Sequence, residues 1–506
     1  MIQRTLVRKK YIIILIVVAL AVVGSLVGYR LSRPFSVTVS LSHLAPLSAR
    51  ATIHSREEVQ ISLRIEGMND DDIVVSFEPY QHEHDIPILG LYADRNNTVV
   101  ITATTQDGQQ HERTVNIRTD RLPEIYPVFV MNRFIEHAIA PGMTFLHLGH
   151  YDHEMSFTPL PTVVDAFGNV RWYYTEDIGH VMKQLDNGNL LIQEGNTLKE
   201  IDMLGNHVAT RAVVPSGIHH DVAFMDNGNL LVLSTAPGSF EDGVVEVDGD
   251  SGALLRGWDF RLILDPERPP QPRNLEVADW LHLNGIDYSP HDDSFIVSGR
   301  DQSAVVKVDA DTGTPTWILG NHAHWEYPLN EKLLHPVGTE FSWQWGQHAP
   351  MVNPDNPYRV LIYDNGNERS YTEPVDPKEN YSRAVEFEID EHLMEVRQVW
   401  EYGRELGSET FTPFIGDANY LENGNRLISF GGITRDLTGE PVKLFDFDNS
   451  RLNDMKISAR IVEVTGESPA QEVLRITIED SDPDSFVGYR CYQAERYPLY
   501  HPALLR

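Results

Sequence analysis

The chain has 506 residues, 41% of them hydrophobic, and carries 74 Asp and Glu against 41 Lys and Arg, a formal charge of −33. Such a length supplies two or more domains with real cores, and so acidic a balance excludes a nucleic-acid partner, whose phosphates demand a basic footprint. An anionic substrate is compatible with it only where a local cationic pocket overcomes the global field.

Residues 1–31 place Arg4, Arg8, Lys9 and Lys10 before an uncharged run from Tyr11 to Tyr29. At about 1.5 Å per residue this run nearly matches the ~30 Å of bilayer hydrocarbon. The positive flank predicts an uncleaved single-span anchor in the cell membrane, with the N-terminus cytoplasmic and the chain after Arg30 extracytoplasmic, in the periplasm. A cleaved signal peptide is the alternative, but its apolar region is shorter, about 7–15 residues, and no A-x-A site follows. Cys491 is the only cysteine, so no intramolecular disulfide can form.

Residues 35–122 alternate like short strands ("FSVTVSLS", "EVQISLRIEG", "DIVVSFEP", "NTVVITATT", "RTVNIRT"), with "GMNDDD", "DRNN" and "QDGQQ" supplying turn chemistry between them. A small antiparallel β-sandwich is expected. His82, His84 and Asp85 in "YQHEHDIP" are expected to be solvated on a loop rather than to bind a metal.

From about residue 126 the chain repeats itself. "QLDNGNLLIQ" (184–193), "FMDNGNLLVL" (224–233) and "LENGNRLISF" (421–430) are one motif, with "LIYDNGN" (361–367) a relative. Asn-Gly accepts positive φ, so each predicts a tight turn into an apolar strand. A second motif alternates with it: "VDAFGNVRW" (164–172), "IDMLGNHV" (201–208), "VDADTGTPTWILG" (308–320) and "IDEHLMEVRQVWEYG" (389–403). A self-similar all-β chain with no helical stretch between strands predicts a β-propeller over 126–506. At about 60 residues per blade, six blades are expected, and the irregular spacing leaves five or seven open.

A propeller gathers inner-strand residues around one channel, so polar groups near strand starts can meet. "GIHHDVAFMDNGN" offers His219, His220 and Asp221; "DWLHLNGIDYSPHDDSFIVSGRDQSAVVKV" offers His282, Asn284 and Arg300; "SWQWGQHAPMVNP" offers His348; "YSRAVEFEID" adds Arg383. Imidazole serves as nucleophile or proton shuttle near neutral pH, and a guanidinium clamps an oxyanion. Several histidines also suit a metal, but an arginine beside a cation is electrostatically unfavourable. An anion-handling site without metal is therefore expected.

"HHDVAFMDNGNLLVL", "DWLHLNGIDYSPHDDSFIVSGRDQSAVVKVDADTGTPTWILG", "GQHAP" and "YSRAVEFEIDEHLMEVRQVWEYG" together resemble the bacterial arylsulfate sulfotransferases, exported six-bladed propeller enzymes that need no adenosine cofactor. The resemblance spans roughly 126–506, and the sandwich before it resembles the family's N-terminal domain. It implies ping-pong transfer of a sulfuryl group from an aryl sulfate donor to a phenolic acceptor, with no cofactor. It places the sulfated histidine at His348, the other active-site histidines at His220 and His282, and the arginine at Arg300, with Asn284 matching as well. His220 is then the acid for the leaving phenolate and the base for the acceptor, while Arg300, His282 and Asn284 hold the sulfuryl oxygens. His219 and Arg383 are expected to touch substrate, and a homodimer is one association considered, the sequence leaving the oligomeric state open. Trp343 and Trp345 either line the aryl pocket or, the more expected outcome, belong to the core. In the last repeat the family's hydroxyl residue has no counterpart, since Ile415 and Gly416 stand there, and Thr412 is the substitute considered. Two other functions are weighed: a non-catalytic anchored propeller that binds a partner or an anion, and a metal-dependent sulfatase, which the absence of a C/S-x-P-x-R signature disfavours.

Overall fold

The computed structural model describes residues 34–69, 71–152, 156–269, 279–443, 455–480 and 487–506. The expected anchor over Tyr11–Tyr29 lies outside the described residues, and among the described residues no helix is long and apolar enough to cross a membrane. The fold is nearly all β, with α-helix confined, among those residues, to Phe260–Ile263.

The N-terminal strands form one bent five-stranded sheet. Its spine is Ser48–Ile65, where alternate side chains are buried: Ala49, Ala51 and Ile53, then Val59, Ile61, Leu63 and Ile65. Register breaks between His54 and Ile61 separate the two halves. The first half pairs with Phe35–Leu41 and the end of Ile73–Leu89; the second pairs with Asn96–Thr105 and the start of Ile73–Leu89. The expected loop around His82 is part of the strand Ile73–Leu89. There His84 is buried with Nε2 2.9 Å from the Val59 carbonyl, and Asp85 pairs with Arg50. Period-2 apolar residues on both sides of "YQHEHDIP" carry the strand through it.

This sheet is fused to the rest rather than tethered by a linker. Arg171, 1% exposed, donates twice to the Gly90 carbonyl (3.0 and 2.7 Å), pairs with Asp165 at 2.9 Å and covers the Tyr92 ring at 3.8 Å. Gly90 is left-handed (φ +86°), and a Cβ there would meet Ile73 and Leu499 inside 3 Å. The Leu89 amide donates to the Tyr500 hydroxyl at 2.6 Å.

The remaining chain makes successive antiparallel sheets in a propeller-like arrangement. Three have four strands each, beginning at Met182–Gln184, Val222–Phe224 and Leu283–Ser289; a fourth begins at His348–Asn353 and has five. A nine-stranded sheet joins the group beginning at Asp417–Tyr420 to the group Val487–Tyr497, Met143–Tyr151, Phe157–Val164 and Val170–Tyr173. The C-terminal strand Val487–Tyr497 pairs with Met143–Tyr151, so the two ends of this region share one sheet. The three Asn-Gly turns form as the sequence dictates: Gly188, Gly228 and Gly424 take φ of +84°, +85° and +85°. The fourth, "LIYDNGN", does not precede an apolar strand but ends one, Asn356–Asp364.

Polar side chains at the starts of the first strands stitch successive strand groups together. Lys183 Nζ donates to the Val222 carbonyl (2.8 Å), and Asp221 accepts from the Ile286 amide (3.3 Å). Asp287 accepts from the Val352 amide (2.8 Å), and Asp417 from that of Ala494 (2.9 Å).

Candidate active site

His220 stands two residues before the strand Val222–Phe224, His282 one residue before Leu283–Ser289, and His348 opens His348–Asn353. His220 and His282 hold φ of +58° and +53°, a region uncommon outside glycine that costs of order 1–3 kcal/mol. At the matching place in "IGDANYLENGN" the chain uses Gly416 (φ +129°). The strained backbone persists where an imidazole is presented.

Four of the expected residues converge. The ring centroids of His220 and His282 are 4.7 Å apart, and those of His219 and His220 are 5.2 Å apart. His282 Nδ1 lies 2.6 Å from Asp279 and 2.7 Å from Glu241. Arg300 pairs with Asp301 at 2.8 Å and lies 3.7 Å from Asp279. Burial, together with the positive charges of His282 and Arg300, holds His220 well below the ordinary histidine range, so its ring is neutral. Burial and Arg300 oppose the charging of His282 as well, but the Asp279 and Glu241 carboxylates outweigh them and its pKa is raised. Burial likewise works against the Glu241 carboxylate, and the hydrogen bond from His282 reverses it. One cluster thus holds a neutral imidazole beside an imidazolium and a guanidinium. Groups placed apart in this way divide into acid–base and charge-holding roles.

The fixed partners of His219 and His220 set their protons. The Ser234 carbonyl can only accept, so His219 Nε2 (2.7 Å) donates to it. A neutral His219 then accepts at Nδ1 from His220 Nδ1, 3.1 Å away, which leaves the His220 lone pair on Nε2. His219 therefore stands behind His220, both nitrogens occupied, and its expected contact with substrate is replaced by a bracing one.

His348 is buried on the adjacent sheet, with Nδ1 2.7 Å from Asn365 Oδ1. Two features tie it to the cluster. Asn284 Nδ2 donates to the Gln347 carbonyl (2.9 Å). Gly285 lets the strands touch: a Cβ there would meet Pro350 Cδ at 2.5 Å. Asn284 thereby spends one amide hydrogen on the backbone and keeps the other.

Arg383 is not at the site. It is 0% exposed, with Nε on Asp364 (2.9 Å), Nη2 on the Ser342 carbonyl (2.8 Å) and Nη1 paired with Glu401. The sequence could not show that these acceptors saturate it. The Thr412 hydroxyl is engaged with Tyr363 and Ser382. Trp343 packs into the core against Phe341. Trp345 is buried, and its carbonyl accepts from the Gly366 and Asn367 amides.

The structure adds residues that sequence reasoning passed over. His180 stacks on His220 (5.0 Å, 1°) and accepts from its amide at 3.4 Å. His147 and Tyr492 extend the aromatic group, with Tyr492 5.0 Å from His180 and 5.7 Å from His147. Burial pushes His180 down to about 4 and His147 to about 3. One signal was available: His180 precedes "VMKQLDNGN" as His220 precedes "DVAFMDNGN". His147, Tyr492, Glu241 and Asp279 lie outside every repeat motif.

Two ligand sets could hold a cation, His219–His220–Glu241 and Glu241–Asp279–His282, each with atoms within 4.8 Å of one another. They share Glu241, which already pairs with His282, and Arg300 lies against Asp279, so both carboxylates are already matched by cations of the protein.

Comparison with known proteins decides the family. The model described as arylsulfotransferase matches residues 101–490, and that of the arylsulfotransferase Ig-like domain matches residues 36–120. The chain belongs to the arylsulfotransferase family. It is an enzyme, a sulfotransferase, and the non-catalytic reading falls. It is 25% identical to arylsulfate sulfotransferase AssT of Escherichia coli O6:H1, over 83% of this chain and 88% of that one. It is 24% identical to AssT of Lelliottia amnigena, over 84% and 89%. Among solved structures, an auxiliary nutrient binding protein from Bacteroides thetaiotaomicron aligns over 92% of this sulfotransferase and 91% of its own chain, at 10% identity and a TM-score of 0.30, a likeness too weak to inform fold or function.

Proposed function

We propose that this sulfotransferase moves a sulfuryl group from an aryl sulfate to a phenolic acceptor in two half-reactions, through a sulfated His348. The observation that carries the reading is the cluster itself, in which neutral His220 stands against cationic His282 and Arg300. In the first half-reaction a His348 ring nitrogen bonds to sulfur, the sulfur–oxygen bond breaks, and the electron pair leaves on the phenolate oxygen. His220, protonated at Nε2 from solvent or by the acceptor of the preceding turnover, supplies the proton that completes the phenol. Its imidazolium is favoured once the sulfate ester brings negative charge beside it. In the second, neutral His220 takes the acceptor's proton as the acceptor oxygen bonds to sulfur and releases His348. By analogy with phosphoryl transfer, charge gathers on the equatorial oxygens, which Arg300, His282 and the remaining Asn284 amide hydrogen would hold.

Six blades follow if the nine-stranded sheet is counted as two, because its halves join only through a two-residue parallel pairing at Lys456–Ile457. The charge pattern of residues 1–31 supports a membrane-anchored, extracytoplasmic enzyme.

The test is incubation with p-nitrophenyl sulfate in the absence of acceptor. A burst of nitrophenol close to the enzyme concentration, with a sulfated histidine at His348 by mass spectrometry, is the expected result. Turnover that needs donor and acceptor bound together, with no adduct, would replace the two-step route by direct transfer. An adduct on His220 or His282 would move the nucleophile.

A further inference from the structure

We infer that Asn365 fixes the ring tautomer of His348, holding the proton on Nδ1 and delivering the lone pair at Nε2; the catalytic meaning of this rests on the proposal that His348 is the nucleophile. Asn365 is 0% exposed and its side chain has three partners. Nδ2 donates to the Thr412 carbonyl at 3.0 Å and to the Ile415 carbonyl at 2.7 Å, and Oδ1 faces His348 Nδ1 at 2.7 Å. An amide nitrogen only donates and its oxygen only accepts, so the amide has one workable orientation. Turned over, it would set its oxygen against two carbonyl oxygens and take from each the donor it now has. With the oxygen so placed, His348 Nδ1 must be the donor.

The support beneath Asn365 is rigid. Its own carbonyl accepts from Ser382 Oγ at 2.7 Å, and the same Oγ accepts from the Thr412 amide at 2.9 Å. This assigns Thr412 a place: its carbonyl orients Asn365, while its hydroxyl stays within the scaffold. It also explains why "DNGN" at 364–367 departs from its relatives, since here the motif carries a positioning residue instead of only turning the chain.

The arrangement has a chemical consequence. An unconstrained neutral histidine favours the proton on Nε2, so Asn365 selects the minor tautomer. Attack through Nε2 forms the N–S bond, breaks the S–O bond to the aryl oxygen, and leaves Nδ1–H in place on Asn365. The sulfated ring keeps its positive charge because a neutral amide oxygen cannot remove that proton, and a charged ring is the better leaving group for the second half-reaction.

Nitrogen-15 NMR of histidine-labelled full-length enzyme at pH 8 tests the assignment, the His348 signals being identified by subtraction of a His348→Asn spectrum. The expected result is a protonated Nδ1 and an unprotonated Nε2. A protonated Nε2, or rapid averaging of the two, would overturn the inference. In Asn365→Leu, checked for folding by its melting curve, the burst rate constant should fall at least about tenfold with donor KM within about twofold, since a catalytic histidine in the wrong tautomer loses rate rather than binding. A folded Asn365→Leu enzyme with an unchanged burst would show that the tautomer does not matter. If the wild type forms no adduct at all, the sulfated-histidine proposal fails, while the NMR result still decides the tautomer.

Discussion

His220 and Asp221 are neighbours in the chain, both buried, both just before the same inner strand, yet they behave differently. Asp221 spends its carboxylate on the Ile286 amide and on Lys183, as Asp287 and Asp417 spend theirs on backbone amides of the next inner strand. These are staples: each carboxylate accepts from a backbone amide of another strand group. His220, His282 and Arg300 instead interact with one another and with the side chains of His219, Glu241, Asp279 and Asp301. Polar groups satisfied by backbone hold the ring together; polar groups held by other side chains keep a reactive edge to present. Exposure alone does not separate the two sets.

Variants on the two sides of this comparison should lose different things. The largest expected effect is in His348→Asn, where transfer should fall by ~10⁴-fold or more as for other removed nucleophiles, with the melting temperature little changed. Steady transfer by a folded His348→Asn enzyme would sink the nucleophile assignment.

His220→Asn keeps a residue that tolerates positive φ and should slow transfer ~10²–10⁴-fold. The loss should be larger with phenyl sulfate than with p-nitrophenyl sulfate, because the better leaving group needs less protonation. Equal losses with both donors would remove His220 from the role of acid.

On the staple side, Asp221→Ala leaves Lys183, whose side chain is only 16% exposed, without its carboxylate partner. Stability should drop by about 3–5 kcal/mol, measured by urea unfolding, while kcat per folded molecule changes by no more than a few-fold. Asp287→Ala should cost less, about 1–3 kcal/mol, since the Val352 and Tyr288 amides lose an acceptor but no charge is left unpaired. If either variant destroys activity at full stability, staple and site are not separate.

The remaining effect is a pH dependence. Burial, with repulsion from Asp221 on Asp417 and from Asp417 on Glu495, raises Asp417 to about 6 and Glu495 to about 8. Their protonated forms are the favoured native ones, so the native state binds more protons than the unfolded chain between the ordinary carboxyl pKa and these values. Their contribution to stability is full below pH ~4 and is lost as pH rises through 6 and 8. Melting temperatures should decline over that window, and Glu495→Gln should flatten the upper part. A melting temperature that rises between pH 6 and 8 for these variants and the wild type alike would show that other groups dominate.

Much of this was legible in the chain because it depends on local chemistry. Asn-Gly demands a left-handed turn whatever surrounds it, so three turns and the strands after them could be read directly. The histidines before those strands stood out because the repeat gave them a shared register. "LIYDNGN" was misplaced for a reason also visible in sequence: its apolar run comes before the Asn-Gly, so it ends a strand and leaves Asn365 beside His348. Arg383 looked like an anion clamp because a sequence shows a cation but not the acceptors that saturate it.

The sequence by itself determined the all-β class, the repeat, the acidic balance and four residues of the site, since period, turn chemistry and composition act over a few neighbouring residues. Tertiary structure alone decided what those residues can do. Pairing of the C-terminal strand Val487–Tyr497 with Met143–Tyr151 brings Tyr492 to His147 and His180, the packing of adjacent sheets sets Glu241 on His282, and the pairing of His348–Asn353 with Asn356–Asp364 sets Asn365 on His348. Charge state and tautomer follow from the partners that folding sets on each ring and from exclusion of water.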